Sequence, residues 1–163
     1  MQFFDDIEIG TAEDLGSHVF KKDEIISFAR QFDPQPFHVN EDLAHTGLFG
    51  GLCASGWHTT SVWMRKMVDF RNADIEQRRK DGRKFARLGP SPGFENLKWL
   101  NPVYVGDRIS FRSKVIGKRT LSSRPEWGLL FLLNDGLNQH GDLVFSFEGR
   151  VFVERDPDRK ITI

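Results

Sequence analysis

The stretch Trp57-His-Thr-Thr-Ser-Val-Trp-Met-Arg-Lys-Met-Val-Asp-Phe70 decides the fold of this chain. No glycine or proline interrupts it, and its only charged side chains are Arg65, Lys66 and Asp69. A helix that is apolar around most of its circumference is buried rather than lying on a surface. The sequence therefore predicts one long buried helix around which the other elements are organised.

Strand patterns dominate the chain beyond this helix. Between residues 108 and 115, apolar and polar side chains alternate, as in a half-buried antiparallel strand. Residues 127–133 are apolar on both faces, which predicts a strand covered on both sides. A helix over 24–32, capped by Asp23 and stopped by Pro34, follows a short first strand. Because a single buried helix can fill the concavity of a curled antiparallel sheet, we expect an α+β domain. The predicted strands cover 12–20, 94–100, 108–115, 127–133 and 143–153.

Length and composition narrow the class of protein. A chain of 163 residues has the size of a single domain, and its 23 basic and 23 acidic side chains balance, which argues against nucleic acid as a main partner. Cys53 is the single cysteine, so no internal disulfide can form. The acidic N-terminus lacks the apolar core of a signal peptide, and no apolar run is long enough to span a bilayer. A cytoplasmic protein without membrane partners is expected.

Aromatic composition points to an oligomer. The chain holds 15 phenylalanines and 4 tryptophans but only 1 tyrosine. Such an excess fits either a core of large rings or an additional apolar face buried between subunits. We favour the second interpretation.

The segment Asp33-Pro34-Gln35-Pro36-Phe37-His38 is the first candidate site. It places a carboxylate and an imidazole five residues apart with two prolines between them. Each proline fixes its own φ and moves the preceding residue out of the α region, so we expect a stiff extended loop and not a helical turn. Such a pair can perform general acid–base catalysis. In the alternative interpretation Asp33 caps a helix and His38 packs on its neighbours.

Ser55-Gly56, at the start of the long helix, is the second candidate site. The first N–H groups of a helix have no internal partner, and the helix dipole adds partial positive charge there. Because Gly56 has no side chain to block an approaching ligand, its N–H could form an oxyanion hole. Alternatively, Ser55 is an ordinary N-cap and the glycine a turn residue.

The order of these motifs resembles the MaoC-like family, which includes the (R)-specific enoyl-CoA hydratases. Its members carry Asp-x-Asn-Pro-(apolar)-His, then a Phe-Gly pair and a small residue followed by glycine at the start of the central helix. This resemblance implies a single hotdog unit, in which a curled antiparallel sheet wraps one long helix, over residues 1–163. The matching phrases are Asp33 to His38, Phe49-Gly50, Ser55-Gly56, Gly93 to Trp99, Pro102-Val103 and Gly106-Asp107.

The resemblance also implies an activity. It assigns the reversible hydration of a 2-enoyl-CoA to a 3-hydroxyacyl-CoA, with coenzyme A as part of the substrate and with no cofactor or metal. It assigns Asp33 and His38 as the acid–base pair, and the Gly56 N–H as the hydrogen-bond donor to the oxyanion. Hotdog units of this family are usually homodimers. The expected substrate-binding residues are Gln35, Phe37, Ser55 and Trp57.

Two positions depart from the family pattern. Gln35 stands where the hydratases usually have asparagine, and Ser55 stands where many members have histidine. Neither change removes the acid–base pair. Because of both changes, the family pattern does not determine which acyl group the substrate carries.

The sequence also fits other functions. A hotdog acyl-CoA thioesterase or a non-catalytic acyl-thioester-binding protein could share the scaffold. Seven basic residues within 71–92, a possible inserted loop or helix, form either a solvated face or contacts to the phosphates of coenzyme A. His45 and His58 lack metal-ligand spacing relative to His38, so no metal site is predicted.

Overall fold

A computed structural model describes residues 1–159, in which five antiparallel strands form one curled sheet along a long helix. The strand order is β1-β3-β4-β5-β2. This is the hotdog architecture that the sequence predicts. No helix of residues 1–159 combines the length and the hydropathy that a membrane crossing requires. After a 3-10 turn (Phe4–Asp6), the elements are β1 (Ala12–Val19), α1 (Lys22–Phe32), α2 (Pro36–Val39), α3 (Glu41–Thr46), α4 (Gly56–Lys80), β2 (Phe94–Trp99), β3 (Arg108–Thr120), β4 (Trp127–Leu137) and β5 (Leu143–Glu154).

The central helix α4 is longer and less enclosed than predicted. It continues to Lys80, so residues 71–80 belong to it, and only residues 81–93 form a connecting loop. Thr59 and Trp63 are buried, but Trp57 is 51% exposed and Met64 is 48% exposed. The expected burial around most of the circumference is therefore wrong for a single chain, because a five-stranded sheet covers only one side of the helix.

Two local predictions before α4 are also wrong. The N-cap of α1 is Lys21, whose N–H donates to the Glu24 carboxylate at 2.9 Å, while Asp23 lies in the first turn. The second proline of the candidate loop does not prevent a helix: Pro36 opens the one-turn helix α2. Proline is well tolerated at this first helical position, where its missing N–H has no intrahelical role.

The inner face of the sheet carries two apolar clusters separated by polar residues. Phe111 and Phe147 belong to the cluster that packs against the first half of α4, whereas Val115 belongs to a cluster with the N-terminal segment. Between them, direct cross-strand pairing aligns Glu13 of β1 with Ser113 of β3, Ser113 with Asn134 of β4, and Asn134 with Phe147 of β5. We call Glu13, Ser113 and Asn134 the polar row.

The apolar strand β4 is covered on both faces, as its composition predicts, since each of its residues is buried or partly buried. On its outer face, Phe131 is partly buried, with the guanidinium groups of Arg119 and Arg150 at 5.9 and 5.8 Å from the ring centroid. Arginine side chains readily cover aromatic faces while their charges stay in water. These cation–π contacts thus cover part of the outer face of β4.

Candidate active site

Local backbone structure places Asp33 and His38 next to each other. Helix α1 ends at Phe32 because Pro34 follows, and the Asp33 N–H still donates to the Ala29 carbonyl at 2.8 Å. The Gln35 N–H then donates back to the Asp33 carbonyl at 2.8 Å, which turns the chain into α2, where His38 lies. The two prolines brace the segment as predicted, although its second half is a helical turn.

His38 is buried, and its ring is oriented by a backbone carbonyl. Its Nδ1 lies 2.8 Å from the Cys53 carbonyl oxygen. Because a carbonyl oxygen only accepts, this contact places the proton of the neutral ring on Nδ1 and leaves the Nε2 lone pair free. Nε2 lies 3.5 Å from Asp33 Oδ2, which is long for a direct hydrogen bond and leaves both atoms available to a third group.

Asp33 is held by two side chains that the sequence analysis assigned to substrate binding. Gln35 Nε2 donates to Oδ1 at 2.8 Å, and Ser55 Oγ donates to Oδ2 at 2.7 Å. Partial burial acts to raise the pKa of Asp33, but the hydrogen bonds from Ser55 and Gln35 and the charge of His38 lower it overall. Gln35 and Ser55 therefore position an ionised Asp33.

Ser55 also starts α4. Its Oγ accepts a hydrogen bond from the Trp57 N–H at 3.2 Å, so the N-cap interpretation and the site interpretation hold together. Within residues 1–159, no protein group accepts a hydrogen bond from the Gly56 N–H. This N–H lies in the first turn of the helix, at the positive end of its dipole.

The absence of a side chain at Gly56 also has a packing role that was not predicted. A Cβ atom there would lie 2.4 Å from the Trp99 indole, which packs directly on the glycine. Trp99 is fixed by an edge contact with Trp57, with ring centroids 5.1 Å apart, and by a hydrogen bond from its Nε1 to Thr60 Oγ1 at 3.3 Å. Glycine is required here for aromatic packing.

One cavity of about 510 Å³ brings the predicted site residues together. Phe37 contacts the His38 ring edge-on, with centroids 4.5 Å apart, and Trp57 forms part of the rim. Three contributors were not predicted: the carbonyl of Cys53, the indole of Trp99 and the side chain of Asn101. No local pattern assigned them to the site, because each reaches it through folding. The seven predicted residues that line the cavity are Asp33, Gln35, Phe37, His38, Ser55, Gly56 and Trp57.

The side chains of the remaining titratable candidates, Cys53 and His58, take no part in this chemistry. The Cys53 thiol is buried, and burial raises its pKa to about 11, so it is not a thiolate nucleophile. Burial lowers the pKa of His58 to about 4, and its ring stacks on Phe28 with centroids 4.6 Å apart. In residues 1–159, no three His, Cys, Asp or Glu side chains are grouped as metal ligands.

The basic segment 71–92 is largely neutralised by neighbouring carboxylates. Six of its seven cations form ion pairs, and the seventh, Arg79, lies over the Phe85 ring, 5.4 Å from the ring centroid. Arg78 lies 22 residues beyond Gly56 in α4, about 30 Å along the helix axis. These observations favour a solvated, ion-paired face over phosphate contacts. The paired cations are Arg71, Arg78, Lys80, Arg83, Lys84 and Arg87, with Glu13, Asp74, Glu76, Asp81, Asp158 and Glu154 respectively.

An imidazole and an ionised carboxylate that face a helix N-terminus inside a hotdog unit define an acid–base site. Residues 7–126 match the family model described as the MaoC like domain, and the chain therefore belongs to this family. A crystal structure titled as the MaoC-like dehydratase from Rhodospirillum rubrum is 34% identical, with a TM-score of 0.80 over 96% of this chain and 99% of that one.

Two curated proteins are also similar. The uncharacterized protein YdeM of Bacillus subtilis is 29% identical over 153 residues, which cover 93% of this chain and 98% of that protein. The mesaconyl-CoA hydratase of Cereibacter sphaeroides is 35% identical over 63 residues. That match covers 39% of this chain and 18% of the hydratase, so it is a local similarity.

Proposed function

We propose that this chain catalyses the reversible hydration of a trans-2-enoyl-CoA to a 3-hydroxyacyl-CoA. The observation that carries the proposal is the pair of acceptors at the site: His38 Nε2 and Asp33 Oδ2, 3.5 Å apart in a cavity. A water molecule can donate one hydrogen to each of them, which leaves its oxygen lone pairs directed at an electrophilic carbon. Membership of the MaoC-like family and the 34% identical dehydratase support the reaction class.

The environments of Asp33 and His38 indicate which of the two side chains takes the proton from water. Because hydrogen bonds lower the pKa of Asp33, its carboxylate is a weak base that orients the water. An imidazole is intrinsically the stronger base, so His38 takes the proton as the water oxygen bonds to C3. His38 then delivers this proton to C2, and the net addition is one hydroxyl and one hydrogen across the double bond. The balance requires no cofactor or metal.

Charge develops on the thioester oxygen as C3 is attacked. The Gly56 N–H, at the positive end of α4, is the proposed donor to this enolate oxygen. The Trp99 indole packs on one side of Gly56, and exclusion of water from that side would strengthen the interaction of the donor with the oxygen. The acyl chain would then extend along α4 past Trp57, which lines both this cavity and an apolar groove beyond it.

We propose a homodimer as the active unit. Trp57, Met64 and Val68 expose apolar surface on one side of α4, and Trp99 does so on the edge strand β2. Pairing two edge strands across a two-fold axis would cover this surface and protect the sheet edge. A cytoplasmic location remains a prediction. Sedimentation equilibrium tests the dimer, and a monomer at micromolar concentration would contradict it.

The activity test uses trans-2-enoyl-CoA thioesters of short, medium and branched chains. Hydration removes the conjugated double bond, so absorbance at the enoyl-thioester band should fall, and mass spectrometry should show addition of one water. Release of free thiol would instead indicate a thioesterase. Binding without either reaction would indicate a non-catalytic acyl-thioester-binding protein, and both results contradict the proposal.

A further inference from the structure

A second cavity, of about 360 Å³, lies between α4 and the inner face of the sheet. It follows α4 from Trp57 to Arg71, a distance of about 20 Å at 1.5 Å per residue. We call this cavity the groove. Its walls are mainly apolar and include Met64, Met67, Leu132, Phe147 and Val151.

Two unpaired polar atoms interrupt this apolar lining. Asn134 is completely buried, and its Oδ1 has no hydrogen-bond partner among residues 1–159. The indole Nε1 of Trp63, which is also buried, likewise has none. Since buried polar groups in folded proteins nearly always have a partner, two such atoms on residues that line one cavity point to a missing partner.

Both atoms belong to side chains that meet at Phe147. Asn134 is the direct cross-strand partner of Phe147, and the Trp63 ring contacts the Phe147 ring edge-on, with centroids 4.7 Å apart. Gly149 lines the same part of the groove, where a Cβ atom would come within 3.0 Å of Asn134 Nδ2. The third unpaired buried atom, His58 Nδ1, belongs to a side chain that lines neither cavity.

The two atoms have complementary requirements. The Trp63 N–H can only donate a hydrogen bond, and the Asn134 amide oxygen can only accept one. A hydroxyl group satisfies both at once, because it accepts through oxygen and donates through hydrogen. A methylene group satisfies neither. A carboxylate would repel the amide oxygen and the nearby Glu13 of the polar row, and an ammonium group has no hydrogen-bond acceptor for the indole.

We propose that the groove selects acyl chains that carry a hydroxyl group remote from the thioester, with Trp63 and Asn134 as the specificity-determining residues. The proposal rests on the proposed function, which places the thioester beside Gly56. Trp63 follows Gly56 by seven residues, about 10 Å along the axis of α4, so the recognised hydroxyl lies on the distal part of the chain.

The test compares trans-2-enoyl-CoA thioesters that have a terminal hydroxyl group with matched thioesters that lack it, at several chain lengths. For at least one length, kcat/KM should be roughly ten-fold higher for the hydroxylated substrate. The ratio should fall to about one in Asn134→Leu and in Trp63→Phe, each of which removes one of the two polar atoms and keeps an apolar side chain at its position. Ile9→Val, at an exposed position outside the groove, should keep the wild-type ratio.

The same comparison is made for binding, with saturated acyl-CoA and terminally hydroxylated acyl-CoA in isothermal titration calorimetry. A ten-fold tighter Kd for the hydroxylated member supports the selectivity even if no enoyl thioester is hydrated, in which case only the proposed function fails. Equal Kd values and equal kcat/KM values at every length overturn the selectivity while hydration stands. If the kcat/KM ratio of hydroxylated to unmodified substrate is unchanged in both Asn134→Leu and Trp63→Phe, these two residues do not determine the selectivity.

Discussion

Asp33 Oδ2 and His38 Nε2 lie 3.5 Å apart, and each is oriented by a separate contact on its far side. Ser55 Oγ donates to the carboxylate, and the Cys53 carbonyl accepts from His38 Nδ1. Both supporting residues belong to the segment that leads into α4, so one piece of backbone fixes both halves of the acid–base pair.

Replacing Asp33 by asparagine should abolish hydration while acyl-CoA binding remains within a few-fold of wild type. The amide offers an N–H where the water needs an acceptor, so the water loses its orientation toward C3 and His38, and such misplacement costs roughly 10²-fold or more in rate. Turnover is followed at the enoyl-thioester band and binding by calorimetry. Asp42→Asn, on the exposed surface of α3, is the matched control. Wild-type kcat in Asp33→Asn would exclude Asp33 from the mechanism.

Ser55→Ala should raise the pKa of the Asp33 carboxyl, which is followed by the carbon chemical shift of this group in an NMR titration. The Ser55 hydroxyl is one of the groups that lower the pKa of Asp33, so its removal raises this pKa, and the carboxylate becomes protonated at a higher pH. Loss of the N-cap should also cost about 1 kcal/mol of stability. Ser27→Ala, at an exposed position of α1, should change neither quantity. An unchanged titration of the Asp33 carboxyl would contradict the positioning role of Ser55.

Gly56→Ala should destabilise the fold through a clash with Trp99. The added methyl group would lie 2.4 Å from the indole, and such overpacking costs about 1–3 kcal/mol. Chemical denaturation measures the loss, which Trp99→Leu should partly restore in the double variant. Gly51→Ala is the control, because its Cβ would meet Tyr104 at an ordinary 3.6 Å. Equal stability of the two alanine variants would contradict the packing argument.

Cys53 should behave as an inert residue whose backbone matters more than its thiol. Cys53→Ala keeps the carbonyl that orients His38, so activity should stay within a few-fold of wild type. Because burial raises the pKa of the thiol to about 11, thiol reagents should label it at neutral pH only when the chain unfolds. Rapid labelling of the native protein, or inactivation in Cys53→Ala, would contradict this assignment.

Stability should fall as the pH decreases from about 6.5 to about 4, in part through His58. Burial lowers the pKa of this ring from 6.5 to about 4 in the folded chain, so the unfolded chain binds the proton first over this range. The contribution is complete above pH 6.5, and its loss is on the order of 2 kcal/mol. Unfolding of His58→Phe should be less pH-dependent in that window. His140→Phe, in the exposed hairpin turn, should keep the wild-type slope.

Much of the fold and of the site could be read from local sequence. Alternation predicted the strands, Pro34 predicted the end of α1, and the spacing from Asp33 to His38 predicted an acid–base pair. The failures were also local in origin: Pro36 was interpreted as excluding a helical turn, although it suits the first position of one. The apolar surface of α4 predicted burial that the five-stranded sheet alone does not supply.

The sequence by itself determined most of the elements and the candidate site residues that they hold, because periodicity, proline and glycine act over a few neighbouring positions. Only the tertiary structure decided what those residues contact. Ser55 reaches Asp33, Trp99 packs on Gly56, and Asn134 and Trp63 line one groove, because strand register and helix packing join segments far apart in the chain. Such contacts depend on the whole fold, and no local pattern of residues encodes them.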